Sequence, residues 1–328
     1  MTGSVRYTDG IRIDLATGET VAADSEYVNG EINVLSHAHG DHLYRSAPGD
    51  MVCSELTAAL ANVRRDDTEP LNPTSHPAVE LVSAGHVAGS TAAVVDDAER
   101  TYCYTGDIST RDRFYLDGFR PPNADVLIIE STYGKPEYVF APQDEIEREL
   151  VDWLDDTYET PAILFGYSLG RAQKLQLLAQ RSDRSRLFVT KAVERINAVI
   201  EDHLDVSFDA SRFSREVELG AGDVLVLPTQ TSRLAFVDDI VEETGALKVG
   251  ASGWAVDRSF RFRGDYDETF VLSDHCDFDE LVRVVEQAGP EQVYTNHGFA
   301  DEFADYLAAE LDYDARSLKR NQLSLGDF

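Results

Sequence analysis

The sequence predicts an α/β fold in which a doubly wound parallel-sheet domain, residues 143–263, is inserted into a discontinuous first domain, residues 1–142 and 264–328. Three observations carry this. Short strand patterns broken by turn residues fill the first 140 residues, and regular strand–helix alternation replaces them near residue 143. After about residue 265 the chain returns to the texture of its first part. Its 328 residues suffice for about two domains of ~150 residues each. A hydrophobic share of 43% can supply a core to both.

The elements follow in order. Ile11–Leu15 and Thr20–Asp24 flank Ala16-Thr17-Gly18-Glu19 as a hairpin. Short apolar strands are predicted at Ile32–Leu35, Val79–Val82, Thr91–Val95, Thr101–Thr105 and Val126–Ile129. Gln143–Thr157 places Ile146, Leu150, Trp153 and Leu154 on one helical face. Strand Ala162–Phe165, helix Arg171–Gln180, strand Leu187–Val189 and helix Ala192–Leu204 come next. Val224–Leu227, Leu234–Glu243 and Leu247–Val249 continue the alternation. The last part reads as strand Phe270–Ser273, helix Asp277–Gln287, strand Gln292–Thr295 and helix Phe299–Leu311, with Asp277 and Glu280 as a capping pair.

Sixty acidic against 29 basic residues leave a net charge of −31, and only five of the bases are lysine. The acids are spread along the chain, which suits a surface adapted to molar salt, where the Debye length is about 3 Å. A simple basic nucleic-acid-binding module is excluded. No apolar run approaches the ~20 residues of a membrane span. The first residues carry no basic-then-apolar leader, so the expected compartment is the cytoplasm. Cys53, Cys103 and Cys276 make neither a disulfide framework nor a CxxC zinc knuckle.

The chemistry is concentrated in Ser36-His37-Ala38-His39-Gly40-Asp41-His42, directly after a strand. Four potential ligands within six residues, His37, His39, Asp41 and His42, cannot all point into a core, and imidazole with carboxylate is a zinc donor set. His86, in Gly85-His86-Val87-Ala88-Gly89-Ser90, and Asp107, in Thr105-Gly106-Asp107, also follow strands. Each alone reads equally as a structural histidine or a turn. Their order after the first motif joins them to it.

The succession HxHxDH, GHxxGS, TGD resembles the metallo-β-lactamase superfamily, whose fold is a four-layer αββα sandwich. The resemblance implies two zinc ions, although another divalent metal is admissible. His37, His39 and His86 would hold one; Asp41, His42 and His297 the other; Asp107 would bridge. Asp24 would support the motif loop, with Asp14 as the fallback. Glu130-Ser131-Thr132-Tyr133-Gly134, Leu272-Ser273-Asp274-His275-Cys276-Asp277-Phe278 and Asn296-His297-Gly298 resemble motifs A, B and C of the β-CASP nuclease branch. An insertion between motifs A and B is also that branch's arrangement. The whole is most similar to the prokaryotic mRNA 3′-end processing factor or ligase-associated exonuclease group, akin to Artemis-type nucleases. Asp274 and Cys276, where alanine is common, and Asn296 before motif C depart from the pattern.

The resemblance thus implies a zinc-dependent nuclease cutting phosphodiesters of RNA or DNA. Its candidate catalytic residues are His275 as general acid, Glu130 orienting it, and Asp41 at the metal. Ser168, Gly170, Arg171 and Lys174, within Gly166–Lys174, are the candidate phosphate contacts at a helix start; an ordinary βα turn capped by Ser168 explains them as well. Ser252 and Gly253, before Trp254, are substrate contacts or an anchoring turn. Phe260-Arg261-Phe262-Arg263 suits a single strand by stacking and charge, or a solvated β-edge. The expected partners are a nucleic-acid strand and a helicase or ligase, with no membrane. The competing readings are a thioester or ester hydrolase on the same fold and a non-catalytic nucleic-acid-processing subunit.

Overall fold

The structure is a computed structural model that describes residues 3–45, 49–65, 69–214 and 216–318. The chain divides into two compact units, Met1–Val139 with His275–Phe328, and Phe140–Asp274.

The first unit is built on two six-stranded sheets. In one, Ser4–Tyr7, Ile11–Asp14 and Thr20–Ala23 form an antiparallel meander, which Ile32–Val34, Asp50–Val52 and Asn72–Thr74 extend in parallel. In the other, Val79–Ser83, Thr91–Asp96 and Thr101–Tyr104 run antiparallel. Val126–Glu130, Gln292–Asn296 and Asp314–Ser317 then add in parallel. Ile13, Val21, Val34, Val95, Tyr104 and Ile128 meet in the core shared by the two sheets. The opposite face of the second sheet, through Cys103, Leu127 and Val293, is covered by helices Phe278–Ala288 and Ala300–Leu311. Leu281, Val285, Phe303 and Leu307 are fully buried there, each worth about 1.5–3 kcal/mol of transfer free energy. The Asp277–Glu280 capping box starts the first of these helices as the sequence predicts.

The second unit is a six-stranded all-parallel sheet. Ala162–Gly166 lies near its middle, flanked by Asp223–Pro228 and Leu247–Ala251. Helices Gln143–Asp156, Arg171–Ala179 and Lys191–His203 cover one face and Ala235–Thr244 the other, the doubly wound arrangement.

Three expectations need correction. Residues 264–274, assigned to the first domain, lie in the second unit. Glu268–Phe270 pairs in parallel with Leu247–Ala251, and Phe270 and Leu272 sit in that unit's core. The strand is therefore Glu268–Phe270, not Phe270–Ser273. Helix Glu55–Arg64, capped by Ser54, lies where only strands were expected. Among the described residues no helix is long and apolar enough to cross a membrane.

Candidate metal centre

The strand Ile32–Val34 ends in a loop that turns the histidine motif inward. His37 is fully buried and His42 nearly so. His37 Nε2 lies 3.1 Å from His39 Nδ1, and His86 Nε2 lies 3.2 Å from the same atom. Asp107 reaches this group from the strand Thr101–Tyr104, its Oδ2 3.5 Å from His37 Nε2 and 3.7 Å from His86 Nε2. Ligand atoms of these four residues all lie within 4.8 Å of one another. Donors on a tetrahedral zinc at 2.0–2.1 Å stand about 3.3 Å apart, so the donor set and its spacing fit that ion. Gly106 makes the approach possible: its φ is +55°, and a Cβ there would run into Ser36.

Asp107 Oδ2 is also 3.7 Å from His42 Nε2, which brings a second group of donors alongside the first. Asp41 Oδ2 stands 4.0 Å from His42 Nε2, with its side chain 77% exposed. The exposed His297 stacks on His42 at a centroid distance of 5.2 Å. Neither Asp41 nor His297 joins the tight groups found among the described residues. His297 is held at φ +59°, strained for a non-glycine, as is Asp24 at φ +49°.

Asp24 organises the loop. Its carboxylate accepts hydrogen bonds from the Ser36 amide and hydroxyl, from Tyr104 Oη at 2.8 Å, and from His42 Nδ1 at 2.8 Å. That last bond leaves His42 Nε2 facing Asp107, the arrangement by which an outer carboxylate orients a metal-binding imidazole. Asp14 is instead paired with Arg6 and Arg12. Burial alone would lower the His42 pKa, but Asp107 and Asp24 outweigh it and raise it to about 10. Burial and the surrounding imidazoles hold His37 well below the usual histidine range. The pocket thus draws positive charge to the side facing the carboxylates.

Glu130 ends the strand Val126–Glu130, fully buried, and its Oε1 meets His275 Nδ1 at 2.9 Å. Burial would raise its pKa; the His275 charge and hydrogen bonds from His275, Thr132 and the Ile108 amide lower it, so it is an anion. The His275 ring packs against His86 at 4.4 Å, and Asp107, Glu130 and His275 form another close group.

The phosphate contacts expected in the second unit are placed differently. Arg171, 2% exposed, pairs with Asp274 at 2.9 Å and donates to the Ala251 carbonyl. Lys174 is buried, 3.0 Å from Glu147 and 3.3 Å from Gln143. Both cations are engaged inside the fold, because the helix Arg171–Ala179 lies over its sheet and turns both stems inward. Gly170 has φ +97° and donates its N–H to Gln173; Ser168 is half-buried. Ser252 accepts the Trp254 N–H at the start of a 3-10 turn in which Gly253 is buried. The sequence reading missed Tyr104 and Arg113, which donates to the Gly85 and His86 carbonyls and so fixes the His86 loop. Tyr104, one residue before Thr105-Gly106-Asp107, was the readable signal.

The chain is similar to several known proteins. A family model described as the Zn-dependent metallo-hydrolase RNA specificity domain matches residues 268–317. The chain is 33% identical over 309 residues to a protein of Opitutus terrae named "Probable DNA ligase", covering 89% of this chain and 29% of that one. It is 28% identical over 203 residues to the "RNase J-like protein" of Methanocaldococcus jannaschii, covering 52% of this chain and 47% of that one. The chain thus spans less than half the length of either relative. A crystal structure of a protein of unknown function from Enterococcus faecalis V583 superposes with a TM-score of 0.66 at 13% identity, covering 97% of this chain and 96% of that one, which shows a shared fold. The histidine-lined sandwich and these matches together identify the chain as a member of the β-CASP branch of the metallo-β-lactamase superfamily.

Proposed function

We propose that this protein is a two-zinc phosphodiesterase that shortens a nucleic-acid strand. One observation carries the reading: His37, His39, His86 and Asp107 converge on a point beside the Glu130–His275 pair. His37, His39 and His86 would hold one ion and Asp41, His42 and His297 the other, with Asp107 shared. When bound, the metal supplies Lewis-acid activation of water and neutralises charge developing on the phosphate. His275 gives a proton to the leaving oxygen from Nε2, because Nδ1 is held by Glu130, whose anion favours the protonated ring. Asp24, through His42 Nδ1, keeps Nε2 directed at the site.

RNA is the first substrate class, supported by the RNA specificity domain matched at 268–317 and by the relative named RNase J-like. DNA is the second, favoured by the long match to a protein named a probable DNA ligase, which also supports a ligase as partner. Zinc-loaded protein is incubated with 5′- and 3′-labelled single strands of RNA and DNA. One of the four should shorten, and His275→Ala should slow that cleavage about 10²–10⁴-fold while zinc stays bound. Intact strands in all four, with metal loaded, would refute the proposal.

A further inference from the structure

The second unit carries a groove that the catalytic reading does not use. Its volume is about 490 Å³, within the range of ligand sites, and Thr229, Ser232, Trp254, Phe260, Arg263 and Tyr266 line it. It lies at the carboxyl ends of Asp223–Pro228 and Leu247–Ala251, on either side of Ala162–Gly166. Ligands of doubly wound sheets bind in crevices outside the carboxyl ends of the strands.

The groove is shaped for a flat ring. Tyr266 forms a buried floor, 5.5 Å from Phe165 and 5.3 Å from Phe260 by ring centroids. Gly250 and Gly264 lie against this ring so closely that a Cβ on either would collide with it, which holds the ring in place. Thr229 and Ser232 also line the groove, which leaves hydroxyls at the edge of an aromatic surface. Arg263 lines the groove, while Arg261 on the same short helix donates to the Tyr266 and Asp267 carbonyls. Arg233 donates to the Phe262 carbonyl across the rim. Of the neighbouring acids, Asp265 pairs with Lys248 at 3.0 Å, and Asp257 accepts hydrogen bonds from Ser259 and faces the charge of Arg263. Phe262, 76% exposed, stands out from the same short helix, Ser259–Gly264, where an exposed β-edge was the alternative expectation.

From aromatic faces, the edge hydroxyls of Thr229 and Ser232, and the exposed Arg263, we propose that this groove is a subsite for one nucleobase of a single strand, whose adjoining phosphate pairs with Arg263. This deepens the nucleic-acid reading and rests on it. Stacking tolerates any base, so the subsite would anchor a strand without choosing its sequence.

Trp254 reports on the groove directly, since Trp153 is the other tryptophan and Trp153→Phe leaves Trp254 as the sole tryptophan, excited selectively over the tyrosines. The full chain in that background, with divalent metal chelated, is titrated with a ten-nucleotide oligo(U), oligo(dT) and an abasic strand of equal length. The base-bearing strands should quench Trp254 and the abasic strand should not. Phe260→Ala should weaken the quenching affinity roughly tenfold. Arg263→Gln, an exposed change that does not threaten folding, should weaken it several-fold and flatten its salt dependence. Equal responses to base-bearing and abasic strands, or no response, would overturn the proposal. If strands are still cleaved in that case, the groove alone is wrong; quenching without cleavage on metal loading removes the hydrolase reading and leaves the groove.

Discussion

Two strand-end constellations of buried polar groups invite comparison. Around Asp107 in the first unit, metal-type donors face one another: three imidazole nitrogens and a carboxylate crowd together, and His42 is pushed to about 10 between two acids. At the start of helix Arg171–Ala179 in the second unit, each cation has its own carboxylate, Arg171 with Asp274 and Lys174 with Glu147. Both stretches looked like binding motifs in the sequence. A cluster of imidazole and carboxylate donors that converge on one point has the geometry to receive a cation. One whose members are all paired is built to hold itself together.

The sharpest way to break that contrast is to remove a donor from each side. His37→Ala should release the metal and lower strand cleavage by at least about 10³-fold, the several kcal/mol a metal contributes to the transition state. Elemental analysis after dialysis, with rates on the same sample, checks it; full metal content with full activity would dissolve the distinction.

Arg171→Met should act on stability instead. It strands Asp274 in the interior, at a cost of about 3–5 kcal/mol, and the double variant Arg171→Met/Asp274→Leu should recover most of it. Urea unfolding of the three proteins measures this. A tenfold rise in KM for the strand without loss of stability would return Arg171 to the role of phosphate contact.

Asp24→Asn sharpens the metal side by a smaller step. It replaces the charged acceptor that orients His42 with a neutral amide, so zinc affinity measured by chelator competition should fall about 10–100-fold. An unchanged affinity would make Asp24 a loop support only.

The clustering of the candidate donors was legible for a physical reason. His37, His39 and His42 lie within six positions after a strand, and a strand end delivers neighbouring side chains to one place. Asp24 could be chosen over Asp14 by its distance along the chain from His37. Helix Glu55–Arg64 was illegible because its buried face rests largely on small residues, Thr57, Ala58 and Ala61, beside Leu56 and Leu60. The seam was misplaced because Glu268–Phe270 is a three-residue edge strand, too short for any periodicity to show.

By itself the sequence determined the layered α/β class, the run of motifs that places the chain in its family, and the donors that come together at Asp107. These depend on local spacing and on residue chemistry that no environment reverses. Tertiary structure alone decided whether a given cation faces a ligand or a carboxylate. Asp274 reaches Arg171, and Tyr266 reaches Phe165, across about a hundred residues of chain. Pairing at that separation is set by how sheets and helices stack, and a charged or aromatic residue reads the same in sequence whether it is paired or waiting.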